Sequence, residues 1–503
     1  MAELELKFQV PPERRNEVMR AMKAGRVERI HLQARYHDTA DDLLGQNRLA
    51  LRLRQEGRAW VQTLKGSTGH VAERAEHDVA LSRVPRGGPT LDINRHADSA
   101  VGQALLALLR DHPEATLQQV YATDVWRTHR VVAHQGARIE LAFDEGRIVA
   151  GEAEHPLCEI EFELKSGPPA ALFDLALRWC ERHGLWLDSV SKAQRGQLLA
   201  RGRRHAEPVS AQAPAIRRDT GAAHVLAHVV NSTLQQILPN SSEVASEVAS
   251  EVASELAGGS ATAEHVHQLR VGLRRLRTAL RELKSLGPSP CTPEDTSALE
   301  HAFAQLGMAR DQQVALEHIV PMLEAADAPW TVGPATAQHA TRAAEVVRAS
   351  GFQMALVRLL ATTFLSLREP DDSAPPAHHI ARRLHKLHRR VAQAADGFAE
   401  LPVAEQHQTR KRLKRLRYLA EFAAPLFKAK SVDRYLAALK PAQDALGLLN
   451  DQATAEAAYR QWAGTEPRAW FAAGWLAGRH DASARQCGRA LRRVAEAKPF
   501  WRG

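Results

Sequence analysis

The sequence predicts an α+β chain in two parts, a strand-rich N-terminal region followed by an almost wholly helical one. Three observations carry this. Apolar residues recur with period two through the first 200 residues. The composition then shifts to Ala, Leu, Arg, Glu and Gln with a helical period. Within that second part, two blocks repeat at a constant offset of 140 residues, 267 to 407 and 311 to 451. Period two marks strands with one apolar face, and a period near 3.6 marks amphipathic helices.

A chain of 503 residues exceeds one ordinary domain, so two or three are expected. The strand-rich part is placed at 1–201, a Pro-, Ala- and charge-rich linker at 202–217, and the helical part at 218–503. In the first part Leu4, Leu6 and Phe8 alternate with Glu3, Glu5 and Lys7; Leu49, Leu51 and Leu53 with Arg48, Arg52 and Arg54; Ile139, Leu141 and Phe143 with Glu140 and Asp144; and Ile160, Phe162 and Leu164 with Glu159, Glu161, Glu163 and Lys165. Helical stretches interrupt the pattern at roughly 99–110 and 169–183. A Glu-Val-Ala-Ser unit occurs three times in a row over 243–254 and reads as a bland low-complexity insert.

The net charge of +9 and pI near 9.5 suit a polyanionic partner. Nucleic acid is the least fitting one, because the basic stripes lack interleaved aromatics and aromatics make up only 5% of the chain. The four cysteines form no CxxC pair and fit a reducing compartment. The acidic start is unlike a signal peptide, and no run of 18 apolar residues offers a membrane span. A cytoplasmic location is expected.

The polar strand faces hold the chemistry. A solvated face usually mixes Ser, Thr, Gln and Lys, whereas here single strands carry runs of one function: carboxylates at 159, 161 and 163, guanidiniums at 52 and 54. Hard carboxylate oxygens hold Mg²⁺ or Mn²⁺, and Arg and Lys clamp phosphate oxygens. Together they can neutralise a triphosphate and activate water for attack on phosphorus. Burying so many charges without ion or ligand would be costly.

Eight segments resemble the CYTH superfamily, in that family's order: Glu3-Leu-Glu5-Leu-Lys7, Tyr36-His-Asp38-Thr39, Leu49-Ala-Leu51-Arg52-Leu-Arg54, Gln62-Thr-Leu-Lys65, Arg74-Ala-Glu76-His-Asp78, Glu140-Leu-Ala-Phe-Asp144-Glu-Gly146, Glu159-Ile-Glu161-Phe-Glu163 and Ser191-Lys192-Ala-Gln-Arg195-Gly196. The resemblance implies an antiparallel β-barrel tunnel lined by charge. It implies Glu3, Glu5, Lys7 and Glu161 as catalytic residues. Glu3, Glu5, Asp144, Glu159, Glu161 and Glu163 become candidate ligands for Mg²⁺ or Mn²⁺, and Lys7, Arg52, Arg54, Lys65, Arg74, Arg127 and Lys192 the grip on triphosphate. Asp78 stands where the family often has Glu.

In the second part, His267, Arg270, Arg274, Arg277 and Arg281 form one helical stripe, and His407, Arg410, Lys414 and Arg417 repeat it. Leu269, Leu273, Leu276 and Leu280 supply the packing side. Each stripe is followed by a Gly-x-x-x-Asp block, at Gly307–Asp311 and Gly447–Asp451. Two copies favour a shared anionic ligand. His385 and His388 add a basic segment expected to be a solvated face. The spacing resembles the CHAD domain, a duplicated helical bundle associated with polyphosphate, and CYTH followed by CHAD resembles bacterial inorganic triphosphatases. His267, Arg270, Arg274, Arg277, His407, Arg410, Lys414 and Arg417 are the implied polyphosphate ligands. The expected fold is thus a β-barrel tunnel followed by an all-α duplicated bundle. The expected activity is metal-dependent hydrolysis of inorganic triphosphate. The alternatives are a non-catalytic polyphosphate-binding or granule-targeting protein, a class IV adenylate cyclase, and a thiamine triphosphatase-like enzyme.

Overall fold

The computed structural model describes residues 2–67, 73–82, 88–247, 262–314, 318–329 and 337–502. The chain separates into two compact units. One comprises Met1–Val209, Leu238–Ser246 and Val347–Leu365; the other comprises Ser210–Ile237, Glu247–Val346 and Ser366–Gly503.

The first unit is built on nine strands: β1 (Ala2–Gln9), β2 (Glu28–Asp38), β3 (Leu49–Glu56), β4 (Ala59–Ser67), β5 (Glu73–Leu81), β6 (Gln118–His134), β7 (Ala137–Ala150), β8 (Ala153–Ser166) and β9 (Trp186–Leu187). All pairings are antiparallel, in the order β5-β4-β3-β2-β6-β7-β8-β1-β9, and a further β1–β5 pairing closes the first eight into a barrel. Its helices include α1 (Arg15–Met22), α2 (Leu43–Gln46), α3 (Ala100–Asp111), α4 (Pro169–His183) and α5 (Lys192–Ala200), and the unit also takes in nearly all of the helix Ser350–Ser366.

Strand alternation decides which face turns inward. The apolar residues turn outward, under helices: Leu49, Leu51 and Leu64 pack with Val101 and Leu105 of α3, and Phe162 meets Trp179 of α4 edge-on at 5.7 Å. The charged residues of the same strands therefore point into the barrel, whose eight strands leave room for side chains or one small ligand.

One end of the interior is apolar. Ala34, Tyr36, Tyr121, Val125, Ile148 and Leu157 cluster there, with Ala193 and Leu199 of α5 packed against them. Gly196 permits this fit, since a Cβ at that position would lie 2.2 Å from the Tyr121 ring. A capping box starts α5: Ser191 Oγ accepts from the Gln194 amide at 3.2 Å, and Gln194 Oε1 accepts from the Ser191 amide at 2.9 Å. This satisfies orphan donors of the first turn and fixes where Lys192 begins. Asp38 secures the adjoining loop. Its carboxylate accepts from the amides of Thr39, Leu44 and Gly45 at 2.7–2.9 Å and from Gln197 of α5 at 3.2 Å.

The second unit is helical. The stripe of the first copy lies on the helix Ala263–Glu282 and that of the second on Val403–Ala423. Each is followed by a helix bearing the Gly-x-x-x-Asp block, Pro293–Val314 and Ala429–Trp462. Leu269, Leu273 and Leu276 are buried. The segment expected as linker, 202–217, has no helix or strand. The helix Ala222–Ser246 ends inside the Glu-Val-Ala-Ser region, its last turns, from Leu238, belonging to the first unit; there Glu243 is buried and pairs with His205 at 2.9 Å, a structural use that the low-complexity pattern does not suggest. Residues 248–254 of that region lie outside the described residues. Among the described residues no helix is long and apolar enough to cross a membrane.

Candidate functional site

The barrel interior gathers opposite charges from strands far apart in sequence. Register places Asp144 of β7 between Arg127 of β6 and Glu159 of β8, with Glu161 one inward step along β8. Arg127 grips Asp144 with both arms, Nε and Nη2 each donating at 2.7 Å, and Nη2 also donates to Glu161 at 2.5 Å. Lys192 reaches in from α5 and touches three carboxylates: Asp144 at 2.8 Å, Glu161 at 2.7 Å, and Glu159. Burial opposes the charges of Asp144 and Glu161, but the two cations outweigh it and lower both carboxyl pKa values. Burial likewise opposes the charges of Lys192 and Arg127, and the carboxylates raise both well above their usual values.

Asp144, Glu159 and Glu161 are the one group of three or more candidate metal ligands among the described residues, each offering an oxygen within 4.8 Å of the others. In an octahedral Mg²⁺ shell with bonds of about 2.1 Å, neighbouring oxygens lie about 3.0 Å apart and opposite ones about 4.2 Å. A slight closure of the three carboxylates therefore fits a hard divalent cation.

Lys7 is buried and links the cluster to Asp188: it pairs with Glu159 at 3.2 Å and with Asp188 at 3.0 Å, and donates to the Val190 carbonyl. Asp188 in turn accepts from Arg195 at 3.0 Å and from Gln9 at 2.7 Å. Burial disfavours its charge, but Arg195 and Lys7 prevail and hold its carboxyl far below the usual range.

Across the interior, Arg52 donates to the Tyr36 hydroxyl at 3.2 Å and lies 3.7 Å from Glu76. Lys65 also pairs with Glu76, and Arg54 with Glu56. Burial and the neighbouring Glu76 push the Glu3 carboxyl up to about 8. Burial acts the same way on Glu76, but Lys65, a hydrogen bond with Glu3 and Arg52 take it down to about 2. Glu163 pairs with Lys165 at 2.7 Å.

The second unit carries a half-open cavity of about 1640 Å³. His267, Arg270, Arg274 and Arg277 line it from one basic helix and His407, Arg410, Lys414 and Arg417 from the other, with Asn450 and Asp451 nearby. Its described lining holds ten Arg and Lys against four Asp and Glu, a strong excess of positive potential. Arg270 donates to the Phe303 carbonyl at 2.9 Å and stacks on that ring at 4.8 Å. Burial, Arg274 and Arg410 together lower the Lys414 ammonium to about 6, with Asp451 a partial offset.

With this geometry in hand, comparison with known proteins decides the assignment. Residues 1–197 match the family model of the CYTH domain, and residues 243–460 that of the CHAD domain. The chain carries a CYTH domain followed by a CHAD domain. An inorganic triphosphatase of Haemophilus influenzae is 33% identical over 206 residues, which make up 40% of this chain and 55% of that protein; the chain thus spans about half the length of that curated relative. The crystal structure of the CHAD domain from the plant Ricinus communis aligns with a TM-score of 0.48 and 26% identity, over 59% of this chain and 98% of that one. A Hippeastrum protein described as having a dominant triphosphatase activity aligns with a TM-score of 0.27 and 15% identity, over 40% of this chain and 96% of that one.

Within the CYTH domain, then, the interior brings together Asp144, Glu159, Glu161, Arg127, Lys192 and Lys7, and apart from these Glu3 with Glu76, Arg52 and Lys65. Glu163 stands with Lys165, and Glu5 lies in register with it across β1 and β8. Arg74 is in register with Glu3, and its side chain lies outside the described residues. Asp78 accepts from Thr63 at 2.5 Å. Sequence reasoning missed Asp188: it lies 181 residues from Lys7, and its only local signal is an acid shortly before the Ser191 cap.

In the CHAD domain all eight expected basic residues share the cavity. Gly307 of the first Gly-x-x-x-Asp block leaves room for Arg270, whose Nη1 would lie 2.7 Å from a Cβ there. The side chain of Asp311 lies outside the described residues, whereas Asp451 lines the cavity. His388 is not on a solvated face as expected. It is buried and hydrogen-bonds the Tyr435 hydroxyl at 2.9 Å, because its helix turns that side toward an aromatic cluster.

Proposed function

We propose that the CYTH domain hydrolyses inorganic triphosphate to pyrophosphate and phosphate with Mg²⁺ or Mn²⁺, and that the CHAD domain holds polyphosphate. The observation that carries the first part is the cluster Asp144–Glu159–Glu161 inside a closed barrel that also holds Arg52, Arg54 and Lys65. Asp144, Glu159 and Glu161 would hold the ion, which supplies charge neutralisation at the phosphate oxygens and a more acidic water. Arg52 and Lys65 bind and orient the phosphates; they already share Glu76 and can exchange that carboxylate for substrate oxygens. Tyr36 fixes the Arg52 guanidinium. Arg127 locks Asp144 and Glu161 so that few rotamers remain to be ordered on binding.

The test is a substrate panel of inorganic triphosphate, ATP and thiamine triphosphate, with Mg²⁺, Mn²⁺ or EDTA. Phosphate should be released from inorganic triphosphate with metal and not with EDTA, and Glu161→Gln should reduce turnover by about 10²-fold or more. Preferred turnover of ATP or thiamine triphosphate would instead assign a cyclase-like or organic triphosphatase. Absence of turnover in all arms, with polyphosphate still bound, would leave a non-catalytic polyphosphate-binding protein.

The polyphosphate part rests on the eight basic residues lining one cavity. A polymer with one charge per phosphate matches a ladder of cations, and its binding should weaken steeply with salt.

A further inference from the structure

Lys192 occupies an unusual position. Its ammonium lies 2.8 Å from Asp144 and 2.7 Å from Glu161 and contacts Glu159 as well. These are the same three residues whose oxygens converge within 4.8 Å of one another. A hard divalent cation bound by them needs oxygens at about 2.1 Å on all sides, which leaves no space for an ammonium among the same oxygens.

The other cations around the cluster are anchored. Arg127 is committed in both arms to Asp144 and also touches Glu161, through a rigid planar fork, and Lys7 touches Glu159 but is held as well by Asp188 and the Val190 carbonyl. Of these cations Lys192 is the one that touches all three carboxylates, its described ion pairs include no other partner, and it hangs on a flexible four-carbon stem. Its backbone is pinned by the capping box of α5, so the head can swing while the root stays.

We propose that Lys192 is an internal occupant of the metal seat, a latch that the divalent cation displaces and thereby hands to the triphosphate. Metal and triphosphate then bind with positive coupling: the ion releases a cation into the tunnel, and the triphosphate, by capturing that cation, keeps it out of the seat. Reciprocity follows from linkage. This rests on the reading of the barrel as a metal-dependent triphosphate site and specifies how that site assembles.

The experiment measures Mn²⁺ uptake by the full-length protein without any phosphate, from the EPR signal of free Mn²⁺. Lys192→Met should bind Mn²⁺ about tenfold tighter than wild type. Lys165→Met removes an equal charge from a lysine that touches Glu163 and Glu140 instead, and should stay within about threefold of wild type. A Lys192→Met affinity no tighter than wild type overturns the latch, and so does equal tightening in both variants, which would mark a general field effect.

A measurement on the wild type guards against misfolding of the variant. Acylation of Lys192 by an amine reagent, read by mass spectrometry, should rise severalfold when Mn²⁺ is added; unchanged labelling overturns the proposal. The two readings separate cleanly. If wild type and Lys192→Met bind Mn²⁺ equally well, only the shared seat falls. If neither takes up Mn²⁺, the metal-dependent reading of the barrel falls with it.

Discussion

Lys7 and Asp188 lie 3.0 Å apart with both side chains almost wholly out of water, joining the first strand of the barrel to the segment that leads into its last helix. Neither position suggests the other, yet each needs the other: an isolated charge at that depth would be expelled or neutralised. Asp188→Asn leaves Lys7 and Arg195 short of a counter-charge. It should destabilise the protein by about 3–5 kcal/mol, read as a fall in the denaturation midpoint.

The same carboxylate sets a pH signature. Its folded pKa is depressed, so its contribution to stability is present above the unfolded value of about 4 and is lost as pH falls toward the lower folded value. Urea titrations of wild type below about pH 5 should show stability declining with acid. Asp188→Asn should show a visibly shallower decline over the same window.

Two equivalent glycines of the helical repeat should respond oppositely to alanine. At Gly307 a Cβ would meet Arg270 Nη1 at 2.7 Å, while at Gly447 nothing lies within 4 Å. Gly307→Ala should displace the Arg270 guanidinium from Phe303 and weaken polyphosphate binding by about tenfold, the equivalent of one charged hydrogen bond. Gly447→Ala should raise stability by about 0.8–1 kcal/mol through helix propensity and, although Gly447 lines the same cavity, change binding far less than Gly307→Ala, since its Cβ meets no neighbour. Calorimetric titration and thermal melts of both variants check this.

Polyphosphate binding should take up a proton. The ammonium of Lys414 is lowered to about 6 by burial and by Arg274 and Arg410, with Arg270 adding to the effect and Asp451 opposing it; His407, on the same helix, also lines the cavity. Without ligand the group is therefore mostly neutral between about pH 6 and its unfolded value near 10.4. A bound polyanion restores the charge, so affinity should fall as pH rises through that window. Without ligand the sign for folding is opposite: the penalty of the charged form is complete below the folded value and fades as pH rises. Titrations in two buffers of different ionisation enthalpy should reveal uptake of nearly one proton at pH 8, and Lys414→Met should abolish it.

Loss of the α5 cap should act on catalysis through Lys192. Ser191→Ala removes the side chain that accepts from the Gln194 amide, at a cost of about 1 kcal/mol. Because the same turn roots Lys192, the proposed triphosphatase turnover should drop, with the KM for triphosphate rising, at temperatures where the variant is still fully folded. Ser191→Asp, which can cap as well as serine, should restore both.

How much of this was readable beforehand depends on the range of the interaction. Alternation put Glu161 with Glu159, and Arg52 with Arg54, on one strand face; that this face turns inward was suggested by the runs of one charge and by the CYTH resemblance, not by the period. The common cavity of Arg274 and Lys414 followed from a repeat that keeps one register over 140 residues. Which carboxylates actually meet did not follow: Glu3 and Glu161 look alike in sequence, but strand order gives one to Glu76 and Lys65 and the other to Arg127 and Lys192. Asp188 and the buried Glu243 were illegible for a related reason. Each is matched to a partner that only the closed chain brings near, and Glu243 sits in a stretch whose repetitiveness disguises it.

The way α5 packs over the apolar end, with Gly196 flush against Tyr121, makes the barrel a stoppered vessel. A ligand that reaches the carboxylates without displacing α5 has to enter from another side, and its fragments have to leave without passing that helix. A long polymer could not thread the barrel while α5 stays seated there. It can offer only its tip, so any trimming of extended chains would shorten them from a terminus, leaving their middles untouched.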